Sequence, residues 1–274
     1  MGIINTSPES FYKNSIKINT EKIQDAVLDM QNSGADIIDI GGMSTAPYLE
    51  TMISTDLEIE RLQKAVSAIR QISKIPISID TVRSIVLKAL LKYEINAIND
   101  VTGLKFDKKM PMIVSESEIP AIIGAYQNDH DVNNNNKVLT GDIYDTIDLL
   151  KESISIAKSH KISEENIIID PSIGFFRKEG NSPFFSKIEG LDWYMRDLDV
   201  LSNLAIMRRS LNKPVCISIS RKSFIGAILN LDIEDRLVPS LIAEIHSIKN
   251  GASLIRTHSV KETRMAINTI NLLH

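Results

Sequence analysis

The chain has 274 residues, of which 43% are hydrophobic and 24% are charged, as is usual for a soluble globular protein. Its formal net charge of −4 gives no reason to expect binding to nucleic acid or to an anionic membrane surface. The single cysteine, Cys216, excludes an intramolecular disulfide and a cysteine-rich metal site, and its apolar neighbours predict a buried thiol.

No apolar stretch approaches the roughly 18 residues that a membrane-spanning helix needs. The first residues, MGIINTSPESF, contain neither a basic segment nor a cleavable apolar one, so no export signal is visible. We therefore expect a cytoplasmic protein without a membrane partner.

Short β-branched runs alternate along the chain with longer amphipathic segments. The runs that predict strands cover residues 2–5, 36–40, 75–80, 96–100, 119–124, 166–170, 214–220 and 253–258. The segments with apolar residues at helical spacing cover residues 20–33, 56–73, 82–92, 106–117, 142–160, 193–211, 236–250 and 260–273. The sequence thus predicts eight strand–helix repeats.

Most of the predicted strands are apolar throughout, which is typical of a parallel sheet with both faces covered. Eight such repeats in a chain of 274 residues predict an α/β protein, a (β/α)8 TIM barrel in one domain over residues 1–274. A doubly wound open sheet is the alternative, but no GxGxxG motif follows the first strand. Residues 128–142 form a polar, asparagine-rich insertion, which predicts a solvated loop or else a lid over a substrate.

Carboxylate and amide side chains end five of the first six predicted strands, where a barrel builds its active site. They are Asn5, Asp39, Asp80, Asn99 with Asp100, and Asp170. A strand buried on both faces has no structural use for an unpaired carboxylate, because desolvating the charge is costly. Helix N-capping is an alternative role for Asp100 and for Asp39, and it suits Asp80 and Asp170 less well. Together these side chains predict a pocket for a polar heterocycle that has several N–H donors.

The last two predicted strands carry basic residues instead. Arg221 and Lys222 follow the seventh strand, and Arg256 and His258 end the eighth. Because the loops after strands 7 and 8 of a barrel commonly hold phosphate, these residues predict a phosphate site, with Ser223 or Ser259 offering backbone N–H groups. A pair of basic surface turns is the alternative.

Seven motifs in chain order resemble those of the dihydropteroate synthases, a family of pterin-binding barrels. The motifs are MGIINTSPESF (1–11), GADIIDIGGMST (34–45), ISIDT (77–81), IND (98–100), DPSIGF (170–175), SRKSF (220–224) and the triplet Arg256-Thr257-His258. Each motif is modest alone, but seven in the same order span residues 1–258, nearly the whole chain.

The resemblance implies a transferase of folate biosynthesis that condenses 6-hydroxymethyl-7,8-dihydropterin diphosphate with p-aminobenzoate or a related arylamine and releases pyrophosphate. It implies a pterin site made of Asp80, Asn99, Asp170, Lys222 and Arg256, of which Lys222 and Arg256 would be catalytic. It implies a diphosphate site of Asn5, Arg256 and His258, a Mg²⁺ ion at Asn5, and second-substrate residues Ser44, Thr45 and Ser223. It also implies a homodimer formed through helices late in the barrel.

Four stretches depart from the family pattern. Ala46 stands where the family has an arginine, residues 10–19 lack the usual glycines, Tyr126 ends a stretch that usually reads Met-His, and Phe176-Arg177 replace a small glycine segment. The loops expected to cover the arylamine are therefore altered, which favours a changed and bulkier second substrate. A methyltetrahydropterin:corrinoid methyltransferase and a barrel that binds pterin without turnover are the alternatives.

Overall fold

The computed structural model describes residues 1–9, 12–49, 51–128 and 138–273, and strands and helices alternate along them. The strands are β1 (Gly2–Asn5), β2 (Ile38–Gly41), β3 (Ile77–Asp80), β4 (Ala97–Asp100), β5 (Ala121–Gly124), β6 (Ile167–Asp170), β7 (Phe176–Arg177), β8 (Ser186–Lys187), β9 (Cys216–Ile217) and β10 (Leu254–Ile255). The helices are α1 (Thr20–Asn32), α2 (Thr55–Arg70), α3 (Ser84–Leu90), α4 (Met110–Ser117), α5 (Ile143–Ser159), α6 (Trp193–Ser202), α7 (Leu204–Leu211), α8 (Ser223–Leu229), α9 (Leu237–Lys249) and α10 (Val260–Leu272). Residues 129–137 of the predicted polar insertion lie outside this description.

The strands close into the predicted barrel. β1 to β6 form one parallel sheet in sequence order, and β9 pairs with β10, also in parallel. Single backbone bridges join these two groups, Ile169 pairing with Val215 on one side and Gly2 pairing with Thr257 on the other. The prediction of a (β/α)8 barrel is therefore confirmed. β7 and β8 lie outside the ring as a two-stranded ribbon in the loop after β6.

Isoleucine forms most of the barrel wall. Ile38, Ile40, Ile77 and Ile79 are fully buried, and β2, β4 and β5 are buried along their whole length. β-branched side chains suit such strands because they pack well on a pleated surface covered on both faces. The thiol of Cys216 is also fully buried, as predicted. In the part of the chain that the structure describes, no helix is both long and apolar enough to cross a membrane.

Two helices differ from the prediction. The single helix expected over residues 193–211 is divided at Asn203, whose side chain donates to the backbone carbonyl of Asp199 at 2.9 Å. Asparagine competes in this way with backbone hydrogen bonds and so weakens a helix interior. The helix α8 has no counterpart among the predicted helices, because five of its seven residues are apolar and they show no helical alternation of apolar and polar positions.

Candidate active site

Four neighbouring strands place residues at or next to their C-terminal ends side by side at the mouth of the barrel. Asn5 of β1 is in register with Gly41 of β2, Gly41 with Asp80 of β3, and Asp80 with Asn99 of β4. A side chain at Gly41 would have its Cβ 3.3 Å from the Asn5 Oδ1 atom and 3.8 Å from the Asp80 Oδ2 atom. The glycine therefore leaves open the space between two polar side chains that face the pocket.

A buried guanidinium lies below this row and joins two carboxylates. Arg256 donates from Nε to the Oδ2 atom of Asp39 at 2.6 Å and from Nη2 to the Oδ2 atom of Asp80 at 2.8 Å. Asn99 donates to the same Asp39 oxygen at 3.1 Å. Asp39 is fully buried, so its charge depends on these donors for compensation. The network fixes the position of Arg256 from beneath.

Asp39 and Asp100 do not cap helices, which corrects the alternative considered for them. The helix after β2 begins at Thr55 and is capped by Ser54. Asp100 instead accepts hydrogen bonds from the backbone N–H groups of Thr102 and Leu104, so it stabilises the turn after β4. From the sequence, Asp39 counts among the polar strand ends but has no predicted role in the substrate sites, and the structure pairs it with Arg256.

The turn after β6 brings a carboxylate, an ammonium and an aromatic ring together. Asp170 accepts a hydrogen bond from the Ser172 backbone N–H at 2.7 Å. The Lys222 ammonium donates to the backbone carbonyl of Ile173 and lies 4.7 Å from the centre of the Phe175 ring. Phe175, Asp170 and Lys222 all line the pocket. On this side of the pocket, two charged side chains therefore lie next to an aromatic ring.

A second buried ion pair holds that turn in place. Arg196, which is fully buried, donates to the backbone carbonyls of Pro171 and Ser172 and pairs with Asp197 at 3.1 Å. Asp197 in turn accepts from the Gly174 N–H at 3.0 Å. The Phe176 ring lies 3.6 Å from the Arg196 guanidinium and is fully buried. Phe176 thus belongs to the core, which corrects the expectation that it alters the cover of the second substrate.

The opposite side of the mouth carries Asn5 and His258. Asn5 donates to the Ser15 hydroxyl at 2.7 Å, which directs its carbonyl oxygen away from Ser15, and no described residue donates to that oxygen. The His258 ring lies 5.0 Å from the ring of Tyr12, and its backbone N–H donates to Ser220. Arg221 stacks on the same Tyr12 ring, with its guanidinium 4.9 Å from the ring centre.

Burial shifts the titration of several of these groups. Burial, opposed by the ion pair with Arg256, raises the pKa of Asp80 to about 7, and burial lowers the pKa of Lys222 to about 8. Burial, together with Arg256, Arg221 and Lys222, lowers the pKa of His258 to about 3, so the imidazole is neutral at pH 7. Burial also raises the pKa of Asp170 from its ordinary value. Perturbed groups clustered in one cleft are typical of a functional site.

Nine of the ten predicted site residues line one pocket at this mouth. They are Asn5, Ser44, Thr45, Asp80, Asn99, Asp170, Lys222, Arg256 and His258. The tenth, Ser223, follows Lys222 and accepts a hydrogen bond from Arg177. The structure brings the predicted residues together, and the roles assigned to them remain predictions.

The loop after β2 borders the pocket and touches the loop that holds β7. Ala46 lines the pocket, and the carbonyl of Pro47 accepts from the N–H groups of Asn181 and Ser182 at 2.8 and 3.2 Å. Tyr48 lies 5.8 Å from the Arg177 guanidinium. Two of the stretches that depart from the family pattern are therefore in direct contact.

The sequence matches the family described as pterin-binding enzymes over residues 1–258. The dihydropteroate synthase of Clostridium beijerinckii is 33% identical over 274 residues, which is 100% of this chain and 93% of that protein. The dihydropteroate synthase of Bacillus subtilis is 33% identical over 267 residues, 97% of this chain and 85% of that protein. The crystal structure of dihydropteroate synthase from Clostridium difficile, obtained in the presence of pteroic acid, aligns with a TM-score of 0.82 at 31% identity and covers 100% of this chain and 95% of that one.

Proposed function

This chain belongs to the pterin-binding enzyme family, and we infer that it is a transferase of folate biosynthesis. It condenses a 6-hydroxymethyl-7,8-dihydropterin diphosphate with p-aminobenzoate or a related arylamine and releases pyrophosphate. The observation that carries this inference is the bipolar mouth, in which Asp80, Asn99 and Asp170 face Lys222 and Arg256 in one pocket. A ring rich in N–H groups and an anionic leaving group need that combination.

The pterin ring would be held by acceptor atoms that are already in place. Asp170 uses one carboxylate oxygen for Ser172, and Asp80 uses one for Arg256, while no described residue donates to the other oxygen of either group. The amide of Asn99 is oriented through its nitrogen by Asp39, which leaves its carbonyl oxygen available. Ring N–H groups can therefore bind to these oxygens without breaking the ion pairs.

The proposed reaction depends more on stabilising the leaving group than on a strong general base. A bond forms between the arylamine nitrogen and the pterin methylene carbon, and the bond from that carbon to the diphosphate oxygen breaks, with the electron pair leaving on pyrophosphate. The nitrogen then loses a proton to solvent or to pyrophosphate. Arg256, fixed by Asp39 and Asp80, would stabilise the departing charge, and neutral His258 would donate one ring N–H to it.

A Mg²⁺ ion fits this site only as a partner of the diphosphate. The described residues contain no group of three His, Cys, Asp or Glu side chains that could hold a metal by themselves. The Asn5 carbonyl oxygen is a suitable hard donor, and Mg²⁺ is often bound through one or two protein groups plus substrate phosphates. When bound, the ion would neutralise charge on the diphosphate, while Asn5 orients it.

We also propose a homodimer and a cytoplasmic location. Val238 and Ile242, one turn apart on α9, are 62% and 67% exposed, and Met265 on the neighbouring helix α10 is 60% exposed. Exposed apolar side chains on adjacent helices are typical of an interface. Among the late helices, α6 and α7 contribute Leu201 and Leu204 to the core, where both side chains are buried, so these two leucines are not available to an interface. The location follows from a diphosphate substrate, whose charge prevents passage through a bilayer.

Pyrophosphate release tests the proposed reaction. We expect release only when dihydropterin diphosphate, Mg²⁺ and an arylamine are all present, together with a product in which the pterin and the amine are joined. Leaving out the amine is the internal control, because simple hydrolysis of the diphosphate would release pyrophosphate without it. Absence of amine-dependent release across a series of arylamines would refute the inference.

A further inference from the structure

Arg177 is a buried cation two residues after Phe175, which lines the pocket. Its side chain lies in the β7 ribbon, and the residue is only 8% exposed. The guanidinium lies 3.5 Å from the centre of the Trp193 ring and donates from Nη2 to the Ser223 hydroxyl at 2.7 Å. These contacts hold the group in a fixed orientation between an aromatic face and a hydroxyl.

The positive charge of Arg177 has no negative partner. No carboxylate of the described residues forms an ion pair with it, and its Nε atom is buried without a hydrogen-bond acceptor. Burial lowers the pKa of Arg177, and Asp197, the carboxylate that opposes this shift, is already paired with Arg196 at 3.1 Å. A buried guanidinium ordinarily needs a hydrogen-bonded anion, because desolvation of its charge is otherwise uncompensated. The arrangement is therefore complete only when an anion binds.

The chain connects this guanidinium closely with the pocket. Arg177 does not itself line the pocket, but Phe175, two residues before it, does. Its guanidinium contacts Tyr48 and Ser223, and these follow the pocket residues Ala46 and Lys222 by two positions and one position. The residues suited to the diphosphate, Asn5 and His258, belong to β1 and to the end of the last barrel strand. Arg177 instead follows β6, so its anion is a different one.

On the basis of the proposed function, we propose that Arg177 determines specificity for the second substrate by binding the carboxylate of a carboxylated aromatic amine. The guanidinium and the Ser223 hydroxyl would hold the carboxylate, and Trp193 keeps the guanidinium plane in place. The two substrates carry two anionic groups, the diphosphate and the carboxylate. Asn5 and His258 are suited to the diphosphate, which leaves the carboxylate for Arg177. A cation is absent at position 46, where Ala46 stands, and Arg177 supplies one from the loop that contacts the same segment.

The test compares a charged amine with a neutral analogue. Initial rates of pyrophosphate release are measured at saturating pterin diphosphate with either p-aminobenzoate or 4-aminobenzamide, for the wild type, Arg177→Met and Arg177→Lys. The matched control is Lys178→Met, which removes a neighbouring charge that is exposed and pairs with Asp192 at the surface. Thermal unfolding of each variant reports whether the fold is intact.

We expect Arg177→Met to raise the KM for p-aminobenzoate by about 10- to 100-fold, as the loss of a charged hydrogen-bond pair does. The KM for 4-aminobenzamide should change less than twofold, Arg177→Lys should recover part of the loss, and Lys178→Met should resemble the wild type. A role limited to packing would change both amines equally. An unchanged ratio of kcat/KM between the two amines in Arg177→Met would overturn the proposal.

A calorimetric titration separates this proposal from the reaction itself. If the wild type releases no pyrophosphate with any amine, p-aminobenzoate is titrated into the enzyme loaded with the pterin diphosphate. Binding that weakens at least tenfold in Arg177→Met supports the carboxylate site while the proposed reaction fails. Binding that is absent in the wild type, or equal in the two proteins, refutes the carboxylate site.

Discussion

Replacing Asp39 by asparagine should cost the protein about 2–3 kcal/mol of unfolding free energy and should also weaken catalysis. Asparagine keeps the size of the side chain but removes a fully buried charge that lies 2.6 Å from the Nε atom of Arg256. Breaking a buried ion pair by removing one partner costs about 3–5 kcal/mol. Arg256 keeps Asp80 at 2.8 Å as a second partner, so we expect less than the middle of that range.

The assay is urea denaturation together with pyrophosphate release. The matched control is Asp36→Asn, which removes an ion pair of similar length, 2.7 Å to Arg264, from a carboxylate that is 77% exposed. An exposed pair contributes about 0–1 kcal/mol, so this control should remain close to the wild type. In Asp39→Asn, kcat/KM for the pterin diphosphate should fall because Arg256 is no longer fixed from below.

The reasoning also predicts how two substitutions combine. Once Arg256→Met has removed the guanidinium, Asp39 has lost its charged partner, so adding Asp39→Asn should cost little more or even restore stability. Equal stabilities of Asp39→Asn and Asp36→Asn, or strictly additive effects in the double variant, would refute the role given to the network.

Three further outcomes are expected. Asp170→Asn should weaken binding of a pterin ligand by about 10- to 100-fold in calorimetry, whereas Asp148→Asn on the surface of α5 should leave it unchanged, and equal effects would mean that the pterin lies elsewhere. Because burial lowers the pKa of Lys222 to about 8, kcat/KM for the pterin diphosphate should fall as the pH rises through about 8, and a Lys222→Arg profile that keeps the same inflection would assign it to another group. Burial raises the pKa of Glu244 from about 4.5 to about 7, so its contribution to stability is complete below pH 4.5 and is lost as the pH rises through 7; relative to the wild type, Glu244→Gln should gain up to about 3 kcal/mol between pH 5 and pH 8 in urea melts, and a pH-independent difference would contradict this.

The ends of the strands could be predicted from the sequence because parallel strands share one mouth. Each apolar run that stops at a polar residue marks its own end, so the sequence predicts Asn5, Asp80 and Asn99 at one mouth, and the strand register places them in one row. The partner of Arg256 could not be predicted in this way. Asp39 is 217 positions away from it, and a carboxylate after a strand is equally consistent with a helix cap.

The segment Phe176-Arg177 could not be interpreted from the sequence for a geometrical reason. Adjacent residues of a strand point to opposite faces, so the two side chains must lie in different surroundings. A strand of two residues shows no alternation that would reveal which of the two is buried in the core. The structure places Phe176 against Arg196 in the core and Arg177 against Trp193, so the added bulk of Phe176 is taken up by the core and not by the pocket.

The ion pairs already present at the barrel mouth also determine which substrate can gain the most binding free energy from a new ion pair. Arg256 is already paired with Asp39 and Asp80, so a pterin can use the remaining oxygens of the site without breaking an ion pair, and little reorganisation is needed. Arg177, by contrast, is buried without a counter-ion and gains its first one when an anion arrives. Discrimination between amines should therefore depend on Arg177, and an amine without an anionic group should leave that cation as poorly compensated in the complex as in the free protein.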